Sequence, residues 1–570
     1  MGNISFPDKI IKNTQLTLFL STLLALTVLI IPPSWVSNLP ICTDSVEYAI
    51  GAENIAETGR FVIRIHGEEL PSRYPPWFSS IALAPAYLLF GKELGNAIIP
   101  ITLFSIIGVI SAFLIGYRLS GKWGGFISSL VLILLPAYRA YSSHVMTEVP
   151  CSALAILLSL IYMEIWTTGS KETPEAQANI DQKESNGSPC ELPSKKESKS
   201  SFTPLIGNRT FSAKMDNIHL FVFSGIIAGI ASAFRPACSA FILPFLLFCF
   251  TRKPVTLLPG RLLALIIPQF IVSGATIIYN LRVFGSISKT GYHFWCPVLF
   301  SNIHSIISPA FFKANLTELF ISGLPALVLA VTCLLVIHIR GKKDFPDGKR
   351  DKTAALVYYL IIGTGPIVLL HLFYFWYDQR FYLPSLAVLA ALAGGLIGHF
   401  FENVSTRRLL GIQVFLLIAA LIFRLVHTPT HLTRRETAER IIRVTPPHAL
   451  IISGIDPAYL EYFVCRNSKR RILPISRNVD YTSTAVTWRI SMTTWTNAGN
   501  MIARNETPAG LYPYVAEECF DILTNEVRKG TPVFMDASQI LEVDSKVVKI
   551  ISENFKLARK AEYLYELGLK

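Results

Sequence analysis

Apolar runs of membrane-crossing length, broken by short charged connections, fill roughly the first three quarters of the chain. A helix rises about 1.5 Å per residue and the hydrocarbon layer is about 30 Å thick, so an apolar run of about 18 residues marks a span. The pattern predicts spans near 16–31, 95–117, 123–138, 149–166, 218–234, 236–250, 260–281, 319–339, 354–374, 382–400 and 408–427, about eleven in all. The run 79–90 is apolar but short and holds Pro85. It is expected to lie at the interface or to re-enter, because counting it as a span would turn every later connection over. The first run follows Lys9 and Lys12 with no small-residue cleavage site behind it, so it reads as an anchor and not as a signal peptide.

Two stretches depart from this pattern. Residues 168–216 are rich in Ser, Lys, Glu, Asn and Pro, with almost no large apolar residue before Phe202, and read as a disordered loop. After about residue 430 the runs shorten: strands are predicted at Ala449 to Ser453, Arg471 to Pro474 and Val533 to Met535, helices at Pro457 to Cys465 and Ala516 to Arg528. The expected organisation is a membrane domain over 1–428 and a small soluble α/β domain over 429–570. No glycine-rich turn follows the first strand of that domain, so a nucleotide site there is not supported.

Composition agrees with many spans: 51% of the 570 residues are hydrophobic, 16% are charged, and the mean hydropathy is +0.44. The net charge of +13 would raise the question of nucleic acid in a soluble protein. Its cations have another address. Arg118 and Lys122, Arg252 and Lys253, the run from Arg340 to Lys352, and Arg407 with Arg408 all fall in alternate connections. Those connections are therefore cytoplasmic, and no nucleic-acid partner is expected. The N-terminus is then inside, and the opposite connections 36–94, 139–148, 282–318 and 375–381 face outward together with the C-terminal domain. Nine cysteines include no CxxC pair, which disfavours a zinc site or a disulfide framework, and the outer histidines lack ligand spacing.

The outward connections hold the candidate chemistry. Asp44, Glu47 and Tyr48 sit at i, i+3 and i+4 and share a face if the segment is helical. A wet carboxylate beside the membrane can take a proton from a hydroxyl nucleophile while a lipid-linked donor stays in the bilayer. Asp44 can equally cap a helix that begins at Ser45. Glu148 opens a long apolar span, where an ionised group is costly and is a functional candidate, although charge complementarity with the helix N-terminus also accounts for it. Arg235-Pro236 divides an apolar stretch, and Arg380 stands at a membrane boundary beside Asp378. Guanidinium groups at that depth suit a phosphate whose lipid tail remains in the bilayer, as does Arg73 beside Pro75-Pro76. Boundary charge, pairing of Arg380 with Asp378 and snorkelling of Arg73 are the structural alternatives. Tyr292 and Trp295, in the run Gly291-Tyr-His-Phe-Trp, could stack on a sugar ring or serve as interfacial anchors.

As an ordered set, Asp44 with Glu47-Tyr48, Arg73-Tyr74-Pro75-Pro76, Thr147-Glu148-Val149-Pro150, Arg235-Pro236 and Gln379-Arg380-Phe381-Tyr382-Leu383-Pro384 resembles the GT-C glycosyltransferases. Within that group the resemblance is to bacterial relatives of protein O-mannosyltransferases and to the lipid A aminoarabinose transferase, over about residues 10–427. The resemblance implies a polytopic, inverting glycosyltransferase of the inner membrane. Such an enzyme passes a sugar from a polyprenyl-phosphate donor to a protein, lipid or glycan on the outer face. It implies Asp44 as catalytic base and Glu148 as the second acidic site residue; Glu47, three residues after Asp44, is a further acidic candidate by its spacing. It implies Arg73 and Arg380 as donor-phosphate contacts; by their placement Arg235 is a candidate for the same phosphate, and Tyr48, Tyr74, Tyr292 and Trp295 are candidates to bind the substrates. No nucleotide or redox cofactor is implied and a divalent cation is left open; with a phosphate acceptor Asp44 would orient the acceptor or bind such a cation. Asp44 is followed by Ser45 where the family often has adjacent acids, and Arg73 stands where Lys is frequent. A transporter or lipid flippase, which would favour two matching halves, and a non-catalytic envelope assembly factor are the competing classes.

Overall fold

The computed structural model describes residues 43–65, 68–185, 218–251, 258–295, 303–340, 347–376, 378–401, 433–453, 455, 457–466, 468–474, 515–538 and 545–570. Six helical stretches among them are long and apolar enough to cross a membrane: Leu94–Leu134, Glu148–Thr168, Leu258–Phe284, Pro309–Thr332, Gly348–Leu372 and Gln379–His399. Shorter apolar helices cover Phe78–Phe90, Ile218–Phe234 and Pro236–Thr251. The expected spans near 16–31 and 408–427 lie outside the described residues.

The first long stretch is two antiparallel arms. Backbone geometry leaves the helix at Ser120 and Gly121, and Gly121 takes φ +64°, a conformation a side chain resists. The chain doubles back there: Ser129 donates to the Val109 carbonyl at 3.1 Å, and Gly116 lies against Gly124 so closely that a Cβ would strike its backbone. The two separate runs read either side of Arg118 and Lys122 are these arms.

Helix Leu383–His399 lies against this hairpin through small residues. A Cβ on Gly394 or Gly398 would meet the backbone of Ser128 or Gly124, and Ser128 donates to the Ala391 carbonyl at 2.7 Å. Where lipid gives apolar side chains little reason to associate, such close backbone approach supplies the packing. Gly398→Leu is expected to lower the thermal unfolding temperature of detergent-purified protein by several degrees or more. Gly348→Leu, at a site with open space, should leave that temperature unchanged.

Helix α1 (Thr43–Thr58) uses two faces. Tyr48, Ala49 and Ala52 pack into the core of the membrane helices. Val46 and Ile50 pack into a second core with Ile441, Tyr459 and Leu460 from the C-terminal part of the chain. Burying one such aliphatic side chain is worth about 1.5–3 kcal/mol, so both contacts matter to where α1 sits. A short hairpin follows, β1 (Ile63–Ile65) pairing antiparallel with β2 (Glu68–Leu70), and returns the chain toward the start of α1 at Arg73.

The C-terminal sheet has five strands: β3 (Leu450–Ser453), β4 (Arg471–Pro474), β5 (Val533–Asp536), β6 (Phe555–Ala561) and β7 (Leu564–Leu569). Their order is β4-β3-β5-β7-β6, with β4, β3 and β5 parallel and β7 antiparallel to both neighbours. The three parallel strands and the helix Val515–Arg528 are those the pattern predicts. The edge hairpin β6–β7 is not foreseen, because most of β6 is exposed and carries no alternating apolar signal.

The helix Glu148–Ser185 continues through the first third of the stretch 168–216. Lys171, Glu172, Glu175, Ala176, Gln177 and Ala178 are good helix formers, and an existing span extends into them with no new nucleation cost. Residues 186–217 lie outside the described residues.

Candidate functional site

Five separate segments deliver charged side chains to one end of the helix bundle. Asp44 and Glu47 come from the first turns of α1, Arg73 from the segment after β2, and Glu148 from the first residue of its span. Arg235 stands in extended conformation (φ −149°, ψ 108°) between Phe234 and the 3-10 turn Pro236–Ile242. Arg380 lies in the 3-10 turn Gln379–Tyr382, which Asp378 caps by accepting from the Arg380 amide at 3.0 Å. Acids at helix N-termini are favoured by the aligned peptide dipoles, which explains how Asp44 and Glu148 are tolerated where they stand.

These side chains form one ion-paired cluster. Asp44 accepts from Arg73 through Oδ1 at 3.2 Å and from Arg380 through Oδ2 at 2.8 Å. Arg73 also pairs with Glu47. Glu148 Oε1 lies 3.3 Å from Arg235 Nη1 and 3.9 Å from Arg380 Nε, and Arg380 Nε lies 3.3 Å from Asp378 Oδ2. Tyr141 donates to Asp378 Oδ1 at 3.0 Å. All six charged residues expected at the site are therefore brought together. Pairing of Arg380 with Asp378 is also present, but the shorter contact of Arg380 is with Asp44.

Four carboxylates face three guanidiniums, which leaves one negative charge in excess. Glu47 and Glu148 are buried, at 1% and 3% exposure, whereas Asp44 keeps 17% of its side chain open. Among the three acids expected at the site Asp44 is thus the one within reach of a ligand, and Asp378, with 25% of its side chain open, lies beside it. Burial pushes its carboxyl up, but Arg380 and then Arg73 outweigh burial and hold it at about 2. Burial works against the Arg73 cation, yet Glu47 reverses this and raises Arg73 well above its ordinary value. The resting pair is fully ionised at neutral pH.

The aromatic residues divide. Tyr48 stacks on Tyr74 at 4.4 Å between ring centroids and meets Phe78 edge-on, so its ring is committed to the core. Tyr292 meets Tyr74 edge-on at 5.9 Å and is half-buried, and burial pushes its hydroxyl up to about 12. Trp295 ends the short helix Gly291–Trp295, and its side chain lies outside the described residues. Gly291 rests on the backbone of Ser72 and Arg73 so closely that a Cβ there would collide with it. Sequence reading passed over Tyr141, Phe381 and His371 as site residues. Their signal is proximity in space, and only the position of Phe381 beside Arg380 is visible in the sequence.

The opposite end of the bundle carries cations. Arg118 pairs with Glu164, and Lys352 donates to the Arg118 carbonyl. Glu164 stands about 24 Å along its helix from Glu148, at 1.5 Å per residue, so the two charged zones are separated by most of a bilayer core. Among the described residues no group of three or more His, Cys, Asp or Glu side chains is placed to hold a metal ion.

No protein-family model matches the chain, and no curated protein matches its sequence. Its structure, however, matches that of ArnT from Cupriavidus metallidurans in the apo state, with TM-score 0.54 and 12% identity over 97% of each chain. The fold is GT-C-like. ArnT bound to undecaprenyl phosphate gives the same figures: TM-score 0.54, 12% identity and 97% of each chain. A looser likeness, with TM-score 0.47 and 11% identity over 98% of this chain and 74% of the other, is to the archaeal oligosaccharyltransferase AglB from Archaeoglobus fulgidus. The GT-C-like fold runs through the C-terminal sheet as well as the helices, since the ArnT match covers nearly the whole chain.

Proposed function

We propose that the protein is an inverting glycosyltransferase that moves a sugar from a polyprenyl-phosphate donor to an acceptor on the outer face of the cytoplasmic membrane. The observation that carries this reading is the convergence of Arg73, Arg235 and Arg380 around Asp44 and Glu148 at one end of a GT-C-like bundle. The ArnT structure with undecaprenyl phosphate supports the donor class by likeness of fold. The cations gathered at the far end support the outward orientation of the site.

The donor phosphate competes with the carboxylates for the guanidiniums. Once Arg73 and Arg380 turn to phosphate, Asp44 loses the partners that hold it at about 2, while burial still pushes it up. Donor binding in this way raises the basicity of Asp44. The acceptor hydroxyl then gives its proton to Asp44, its oxygen bonds to the anomeric carbon, and the bond from that carbon to the phosphate oxygen breaks. The electron pair leaves with the polyprenyl phosphate, whose growing charge Arg73, Arg235 and Arg380 stabilise. Tyr292 lies beside Tyr74 and Arg73, where a sugar ring could stack.

Purified protein given polyprenyl-phosphate hexoses and pentoses, with lipid, glycan and protein acceptors extracted from the host envelope, should yield a product heavier by one sugar residue in mass spectrometry. No transfer from any of these donors would overturn the reading. Gly291→Val, which forces the Tyr292 segment off the Arg73 backbone, is expected to raise KM for the donor severalfold more than it lowers kcat.

A further inference from the structure

Phe381 is a buried ring that lies close to two of the three cluster arginines. The guanidinium carbon of Arg235 lies 4.9 Å from its centroid and that of Arg380 lies 5.1 Å away, although the two arginines are far apart in sequence. The ring is itself fixed. His371 stacks on it at 4.7 Å with an interplanar angle of 13°, and His371 is held by a 2.7 Å hydrogen bond between Nδ1 and the Ile367 carbonyl. Tyr374 meets the same ring edge-on at 5.6 Å.

Both arginines share one acid, Glu148, and their like charges repel. An aromatic face attracts each guanidinium without neutralising it and without offering a hydrogen-bond acceptor. It therefore fixes the planes of the two groups while leaving their N–H donors to point elsewhere. A carboxylate in that place would occupy those donors, and an aliphatic side chain would leave the planes free to rotate.

We propose that Phe381 is a positioning residue that holds Arg235 and Arg380 as a preformed two-guanidinium receptor for a lipid-linked phosphate, a diester in the donor and a monoester once the sugar has left. This rests on the donor-phosphate reading above and assigns the element that orients its arginines. The ring touches neither the sugar nor the reacting bond.

The test is binding of a short-chain isoprenyl phosphate to the detergent-purified full chain, with wild-type protein, Phe381→Tyr, Phe381→Leu and Phe381→Met. Tyr keeps the aromatic face, and Leu and Met fill the space without one. Phe381→Tyr is expected to bind within about threefold of wild type, and the two aliphatic variants about tenfold more weakly. Should Phe381→Leu fail to fold, Phe381→Met carries the comparison. Equal binding by wild type and Met, equal losses in Tyr and Met, or no binding of the isoprenyl phosphate by wild type each overturns the inference. Wild type that binds the phosphate but transfers no sugar overturns the transferase reading alone, so the two failures are distinguishable.

Discussion

Asp44→Asn is expected to lower kcat for sugar transfer by about 10²–10⁴-fold and to leave polyprenyl-phosphate binding unchanged or tighter. The substitution keeps the shape of the side chain and removes its charge and its proton affinity. Without that charge Arg73 and Arg380 lose a competitor for phosphate, so the two readouts move in opposite directions. A purely structural role for Asp44 predicts that binding and turnover fall together. The acid limb of kcat in the wild type supplies an independent check. If donor binding frees Asp44 from its arginines, that limb falls above the ordinary carboxylate value of about 4, although the resting carboxyl is held at about 2. Transfer by Asp44→Asn within tenfold of wild type would sink the base assignment.

Arg380→Gln is expected to cost stability as well as turnover, because Arg380 touches Asp44, Asp378 and Glu148 together. Its removal leaves the cluster with two negative charges in excess and Glu148 with Arg235 alone. Leaving a buried ion without its partner costs about 3–5 kcal/mol, and the same change removes a donor to the leaving phosphate. Both the thermal unfolding temperature and kcat/KM should fall, the latter by about 10²–10³-fold. Arg380→Lys should restore little, since a point charge cannot reach three carboxylates from fixed directions as a planar fork does. Recovery by Arg380→Lys to within threefold of wild type would show that charge alone matters there.

Much of the architecture is written in periodicity. The glycine at the Ser120–Gly121 reversal, the apolar runs on either side of it and the Pro after Arg235 each act locally, so they can be read one residue at a time. The ion pairs are different. Asp44 and Arg380 are each conspicuous in the sequence because charge beside an apolar run is costly, but nothing local says that they bond to one another across the molecule. Glu148 reads as equally suited to capping and to function, and its neighbour Arg235 decides the surroundings only after folding. The edge hairpin of the C-terminal sheet escapes notice because most of β6 faces solvent and gives Lys556, Arg559 and Lys560 in place of an apolar alternation.

Helix α1 lies between two cores and belongs to neither alone. The C-terminal sheet is therefore no removable appendage. A fragment that stops before residue 433 would bare Val46, Ile50 and Ile63 to water and release one side of the helix that aims Asp44. Swapping C-terminal halves between related chains should fail for the same reason unless the facing residues of α1 travel with them. The position of Asp44 is thus tied through α1 to that of the C-terminal sheet.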